Sequence, residues 1–341
     1  MLKSVAFMEH LRNQRLTAEY QSAQKRARYG LLPESMSHEG YMAHPVHAYW
    51  DDFWALRGLK DAVAMAELLG DHAQAQRLTA FRDAFCDTLY ASLNTTIQER
   101  NLDFMPGSVE LADFDPSATA IAIAPVDELH HLPQPAIEKT FERYLSGLRE
   151  RVRGNIPWNN YSAYEIRIIG ALVRLGRRQD AHELLDFFLA DRRILPWNQW
   201  PEISWHDPKS PSFIGDMPHS WISAEYILSI HSLFAYAREA DQALVIAAGI
   251  RENWLTDTCD VVVTDLPTYY GKLSYTLHRE GPDTLCLRVT GDLALPPGKI
   301  VVKPPLPRPL VQVEVNGSKI ETFDAESASC AECPAEMIMK Y

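Results

Sequence analysis

Two short stretches of the sequence set carboxylates among aromatic rings. The first is Tyr49-Trp50-Asp51-Asp52-Phe53-Trp54, with two adjacent acids among four aromatics. Acids at a helix start answer its free N–H groups and its dipole, and that is the commoner use of such a pair. One acid suffices for it. A second, packed among Trp and Phe, is partly desolvated and repelled by its neighbour, which raises a pKa and suits a general acid at neutral pH. The second stretch carries Trp197, Trp200, Glu202 and Trp205, and continues through Asp216, His219 and Trp221. Three tryptophans within nine residues of loop cannot all be core, because loops run over the surface. Aromatic faces that match the apolar CH face of a pyranose are their natural use. A carboxyl able to donate a proton, and rings able to hold a sugar, are what the two stretches offer.

Helices must position these groups. Apolar residues recur at three- and four-residue steps from the start to about residue 238, as in Ile137, Phe141, Tyr144, Leu145 and Leu148. The pattern predicts eight amphipathic helices, near 3–27, 51–69, 72–93, 116–124, 134–150, 161–175, 178–190 and 220–238. Short polar turns such as LLGDHAQ alternate with long segments at 29–50, 94–115 and 191–219. That alternation suggests stacked helical hairpins with one elaborated, working face, since ordering long loops costs entropy that a mere connector need not incur. Seven of the eight tryptophans, Trp50, Trp54, Trp158, Trp197, Trp200, Trp205 and Trp221, lie in three segments that begin or precede alternate helices. They are expected to line a common pocket in part, with about half of them padding the core. Asp52, Arg57, Trp158, Asn159 and His219 are further candidate sugar contacts, and Glu39 and Asp216 are alternative acids on the same face. A lone His in a Pro-His-Ser-Trp turn is more often a loop-pinning hydrogen bonder than a ligand contact.

From about residue 258 the period becomes two, through Val261 and Val263, then Leu273, Tyr275 and Leu277, then Leu285, Leu287 and Val289, then Val311, Val313 and Val315. The expected organisation is a helical catalytic domain over 1–238, a linker at 239–257, a small antiparallel β-domain at 258–325 and a polar tail at 326–341.

A net charge of −12 with no basic block argues against nucleic acid and anionic membranes as partners and suits a neutral carbohydrate. No apolar run approaches the roughly 18 residues of a membrane span, and the opening MLKSVAFMEHLRNQR lacks a signal peptide's apolar stretch. The five cysteines are too few and uneven for a disulfide framework, and the lone Cys330-x-x-Cys333 lacks further ligands, so neither a metal nor a cofactor is assigned.

The strings GLLPESMSHEGY, YWDDFWALRGLKDA, FIGDMPHSW and DLPTYYGKLSYTL resemble a bacterial subgroup of the (α/α)6-toroid glycoside hydrolases, a group that includes glucoamylases, trehalases and processing α-glucosidases. The resemblance implies a general acid at the start of the sixth helix, a position that Trp50-Asp51-Asp52 resembles, with Asp51 as the acid. It implies a general base between the eleventh and twelfth helices, a position that Glu202 resembles, with Ser220-Trp221 nineteen positions on. The family's Glu-aromatic neighbourhood is altered here to Glu-Ile-Ser-Trp. The eight helices then correspond to helices five to twelve of an incomplete toroid. On that reading the chain is a fragment, weakly active or inactive and prone to associate, whose full-length parent would work in the periplasm or outside the cell. Three rival readings are a non-catalytic carbohydrate-binding relic, a toroid glycoside phosphorylase and a purely structural helical scaffold, the last of which leaves the loop tryptophans unexplained. The second would need Ser, Thr, Gly or basic donors near the Glu202 loop, which supplies few.

Overall fold

The computed structural model describes residues 1–341 apart from 39, 159, 160, 212 and 257 and the side chains of 161 and 204. It is a protein of helices plus a β-domain, and it divides into two compact units. The first comprises residues 1–161 with 205–213, the second 162–204 with 214–341.

Among the described residues the first unit is built from α1 (Leu2–Asn13), α2 (Tyr49–Leu68), α3 (His72–Arg100), α4 (Pro116–Ile123) and α5 (Ala136–Val152). α2 and α3 form a tight hairpin. Gly70 turns the chain at φ +70°, and Asp71 caps α3 by accepting from the Gln74 N–H at 3.1 Å. α2 buries Phe53, Leu56, Leu59 and Val63, while α3 buries Leu78, Phe85, Leu89 and Leu93. The Tyr49 hydroxyl bonds Ser92 and Thr96 of α3, each at 2.9 Å, which fixes the start of α2. Asp115 caps α4 with Pro116 in its first turn. The helix expected over 3–27 stops at Asn13, and two 3-10 turns, Ala18–Gln21 and Arg26–Arg28, follow it. At its end Arg12 is 6% exposed and donates to the Gly30 and Ala84 carbonyls at 3.0 and 2.6 Å, which spends the guanidinium on closing a loop.

In the second unit the two-residue strand β2 (Ile203–Ser204) lies between α6 (Ile168–Arg174) with α7 (Arg178–Ala190) and α8 (Ser220–Phe234). The pair Tyr161–Ser162 forms strand β1. α8 was expected to reach 238. It ends at Phe234 because Ala235–Arg238 is β3, paired antiparallel with β4 (Ala243–Ile246), so the expected linker contributes a strand. A four-stranded sheet then runs β11 (Ala328–Cys330), β8 (Ile300–Val302), β4, β3.

The second sheet has six strands in the order β10 (Ser318–Ile320), β9 (Gln312–Val315), β12 (Ala335–Lys340), β7 (Thr284–Thr290), β6 (Gly271–Arg279), β5 (Val261–Thr268). The period-two residues point into one core, including Leu273, Tyr275, Leu277, Leu285, Leu287, Val289, Val313 and Val315. Val311 precedes its strand and is exposed. The expected polar tail is corrected outright: it holds β11 and β12, and β12 lies inside the sheet between β7 and β9. Its average composition is polar, but Ala335, Met337 and Met339 alternate inward against outward Glu336 and Lys340.

Met337→Ala is expected to lower stability in urea by about 2–5 kcal/mol, against within about 0.5 kcal/mol for Glu336→Ala. Equal, near-zero effects would mean that these residues are not a core strand.

Candidate functional site

In the first unit the segment before α2 is clamped. Glu110 accepts from the His47 backbone N–H at 2.8 Å, the His47 Nδ1–H at 2.9 Å and Arg28 Nε at 2.6 Å, while Arg15 Nε donates to His47 Nε2 at 3.1 Å. Burial opposes the charge on Glu110, yet these donors outweigh it and hold the pKa down at about 2. Beyond the clamp, Ser35 and Val46 exchange backbone hydrogen bonds of 2.9 and 3.0 Å. This turns the loop so that Ser35 and Ser37 meet the first turn of α2. The Ser35 hydroxyl donates to Asp51 Oδ2 at 2.6 Å and the Ser37 hydroxyl to Oδ1 at 2.7 Å. Ser37 takes a positive φ of 52°, with its N–H held by the Ser35 hydroxyl. Asp51 therefore does not cap the helix with a side-chain bond. It is a half-buried carboxylate oriented by two rotatable donors.

Its neighbour faces the other way. Asp52 is 1% exposed, its Oδ1 accepting from the Leu32 N–H at 3.0 Å and its Oδ2 buried with no partner among the described residues. Burial pushes its pKa well above the usual carboxylate range, opposed by the Leu32 bond and reinforced by the Asp51 charge. The desolvation anticipated for this acid pair thus falls on Asp52, since successive helix residues point about 100° apart.

Trp50, expected to touch sugar, is buried and stacked under His38 at 4.9 Å, with Trp54 edge-on at 5.9 Å. Asp52 and Trp50 are thus both buried. Trp54 and Arg57 are half-buried, and Arg57 is paired with Asp61 one turn on at 2.6 Å. Trp158 stacks on His206 at 4.1 Å and lies 5.5 Å from the Arg151 guanidinium. Asn159 and Glu39 lie outside the described residues.

In the second unit a different cluster forms. One ligand atom from each of Glu202, Asp216 and His219 lies within 4.8 Å of the others. Gly215 makes this possible: at φ +58° a Cβ there would collide with the Ile203 carbonyl, so only glycine lets the turn bring Asp216 against Glu202. The Tyr164 hydroxyl bonds His219 Nε2 at 2.6 Å, and Nδ1 faces Asp216 at 3.4 Å. Burial and the Glu202 charge push the Tyr164 pKa up to about 12, so it remains a proton donor at neutral pH.

Arg167 lies 4.8 Å from the Tyr164 ring and pairs with buried Glu225 at 2.9 Å, tying the turn at Ala163–Arg167 to α8. Trp221 is 47% exposed and edge-on to Tyr164 at 5.3 Å, while Trp205, in the first unit, is 43% exposed. Trp200 was also expected to contact sugar. It is buried instead, with its indole N–H donating to the Phe188 carbonyl at 2.8 Å and its ring against Tyr226.

Ser35, Ser37, Tyr164 and Arg167 are not among the residues expected from sequence. A Ser-x-Ser ahead of the acid pair, and a Tyr and Arg three residues apart beside Ser162, were the available signals. Among the described residues the Glu202–Asp216–His219 trio is also the set spaced closely enough to share a divalent cation.

Asp52 gives a pH test. Its folded pKa is raised, so the folded state binds the extra proton, and stability present below about 3.8 is lost as pH rises through the folded value. Asp52→Asn is expected to flatten that decline in urea midpoints measured across the acid to neutral range. Parallel curves for the two proteins would mean that Asp52 titrates normally.

No family model and no curated protein matches this chain. Among solved structures, the alpha-L-rhamnosidase from Dictyoglumus thermophilum is similar at 11% identity and a TM-score of 0.39, over 85% of this chain and 32% of that one. The chain thus spans about a third of that structure's length.

Proposed function

We propose that the protein cleaves glycosidic bonds of an oligo- or polysaccharide by an inverting mechanism, on an incomplete (α/α)6 toroid, with Asp51 as general acid and Glu202 as general base. The observation that carries the reading is the convergence of Glu202, Asp216, His219 and Tyr164 beside an exposed tryptophan face. Protonated Asp51 would donate to the leaving glycosidic oxygen. Ser35 and Ser37 can rotate to donate to the carboxylate that this transfer leaves behind, which stabilises the product side of the step. Ionised Glu202 would remove a proton from the attacking water. Tyr164 and His219 would fix its surroundings through the bond between them. Exposed Trp205 and Trp221, with Trp54, Arg57 and Trp158, would supply sugar contacts.

The test is a glycan panel with NMR detection of the anomer first released, alongside saccharide quenching of tryptophan fluorescence. The expected outcome is product of inverted configuration. Asp51→Asn and Glu202→Gln are each expected to lower kcat by about 10²–10⁴ while leaving saccharide binding intact. A chelator should leave turnover unchanged, because Glu202 must keep an oxygen free for water. Retained configuration, or full turnover by either variant, would overturn the mechanism. Binding without turnover by the unsubstituted protein would favour the non-catalytic, sugar-binding alternative.

A further inference from the structure

Away from these residues, a hollow of about 420 Å³ opens in the second unit where α7 begins beside the segment Lys303–Pro309. That size falls in the range of small-ligand sites, about 300–1,000 Å³. Arg178, Lys303, Arg308 and Glu326 line it, and Pro304 and Pro307 give it walls without donors.

Arg178 is the first residue of α7. Its Nε donates to the Ala248 carbonyl at 2.8 Å and its Nη2 to the Lys303 and Pro304 carbonyls at 3.0 Å each. Its Nη1 makes no bond among the described residues. Neither Arg178 nor Lys303 has a carboxylate within ion-pair distance among the described residues. Arg308 is neutralised by Asp283, and Asp324 spends its oxygens on the Glu326 and Ser327 N–H groups and the Ser327 hydroxyl. Arg178 and Lys303 therefore face Glu326 and Asp324 through charge at a distance but have no carboxylate in contact, which leaves room for an anion between them. Burial lowers the pKa of both cations, and for Lys303 the like charges of Arg238 and Arg178 add to it while Glu326 and Asp324 oppose. A bound anion would relieve that penalty.

We propose that this hollow binds a small organic oxyanion, a phosphate or carboxylate on a sugar-sized body, through the Lys303 ammonium and the Arg178 guanidinium. The site stands apart from the hydrolase reading, since none of its residues belongs to the proposed machinery. Glu326 at its rim opposes the anion and limits affinity.

Calorimetric titration of the whole protein at constant ionic strength, with inorganic phosphate, glucose 6-phosphate and glucuronate, tests this. At least one probe is expected to bind, and Lys303→Met to weaken it tenfold or more with an unchanged circular dichroism spectrum and unchanged glycan turnover. Glu326→Gln, an exposed change that leaves the fold alone, is expected to tighten binding about threefold. Binding of inorganic phosphate identifies the phosphate group as the recognised head, and binding of glucuronate alone identifies a carboxylate. No binding by any probe, or equal binding by wild type and both variants, would overturn the assignment.

Discussion

Glu110 accepts hydrogen bonds from Arg28 and from both the ring and the backbone of His47, and these two residues flank the long loop ahead of α2. One carboxylate thus pins both ends of residues 29–46, with Arg15 completing the ring of donors through His47. A loop of that length costs considerable conformational entropy to order. Charge-assisted bonds to a partly desolvated acceptor are among the few local interactions strong enough to offset it. With the ends fixed, the serines that grip Asp51 and the histidine that covers Trp50 have little freedom left. The orientation of the candidate acid is therefore decided by contacts made one and two shells away from it.

The second unit solves the same problem with different parts. There Glu202 lies in the long segment between α7 and α8, and the Arg167–Glu225 pair joins α8 to the turn before α6. Burial raises the pKa of Glu225 and Arg167 opposes that shift, so the cost of desolvating the pair offsets part of its attraction. Tyr164, carried on the same turn, is thereby held where its hydroxyl meets His219.

Helices with a clear apolar stripe were legible from sequence. α7 has the predicted limits, and α5 is shifted by two residues. Elements held by tertiary partners were not. Residues 14–28 have apolar spacing that permits a helix, but the Arg12 bonds to carbonyls of Gly30 and Ala84 draw the chain into turns. The strand Ala335–Lys340 was hidden by averaging polar outward residues with apolar inward ones. In the candidate site the acids and tryptophans stood out because their types are unusual in loops. Ser35, Ser37 and Tyr164 did not, because serine and tyrosine in turns are ordinary and only their partners make them matter. Burial of Trp50, Trp200 and Asp52 was equally invisible, since one sequence pattern serves a ring that faces solvent and one that faces the core.

The place of β12 bears on how the polypeptide acquires its shape during translation. Its neighbours β7 and β9 both precede it in the chain and cannot pair through it until Ala335–Lys340 has left the ribosome. Until then the apolar side of the sheet has an open seam, with β7 and β9 each showing an unfilled row of amide and carbonyl groups. The helical hairpin of α2 and α3, whose partners are near in sequence, has no such wait. Synthesis from the N-terminus therefore imposes an order in which the α2–α3 hairpin can consolidate before this sheet closes, leaving a nascent edge that a chaperone or a neighbouring chain could occupy first.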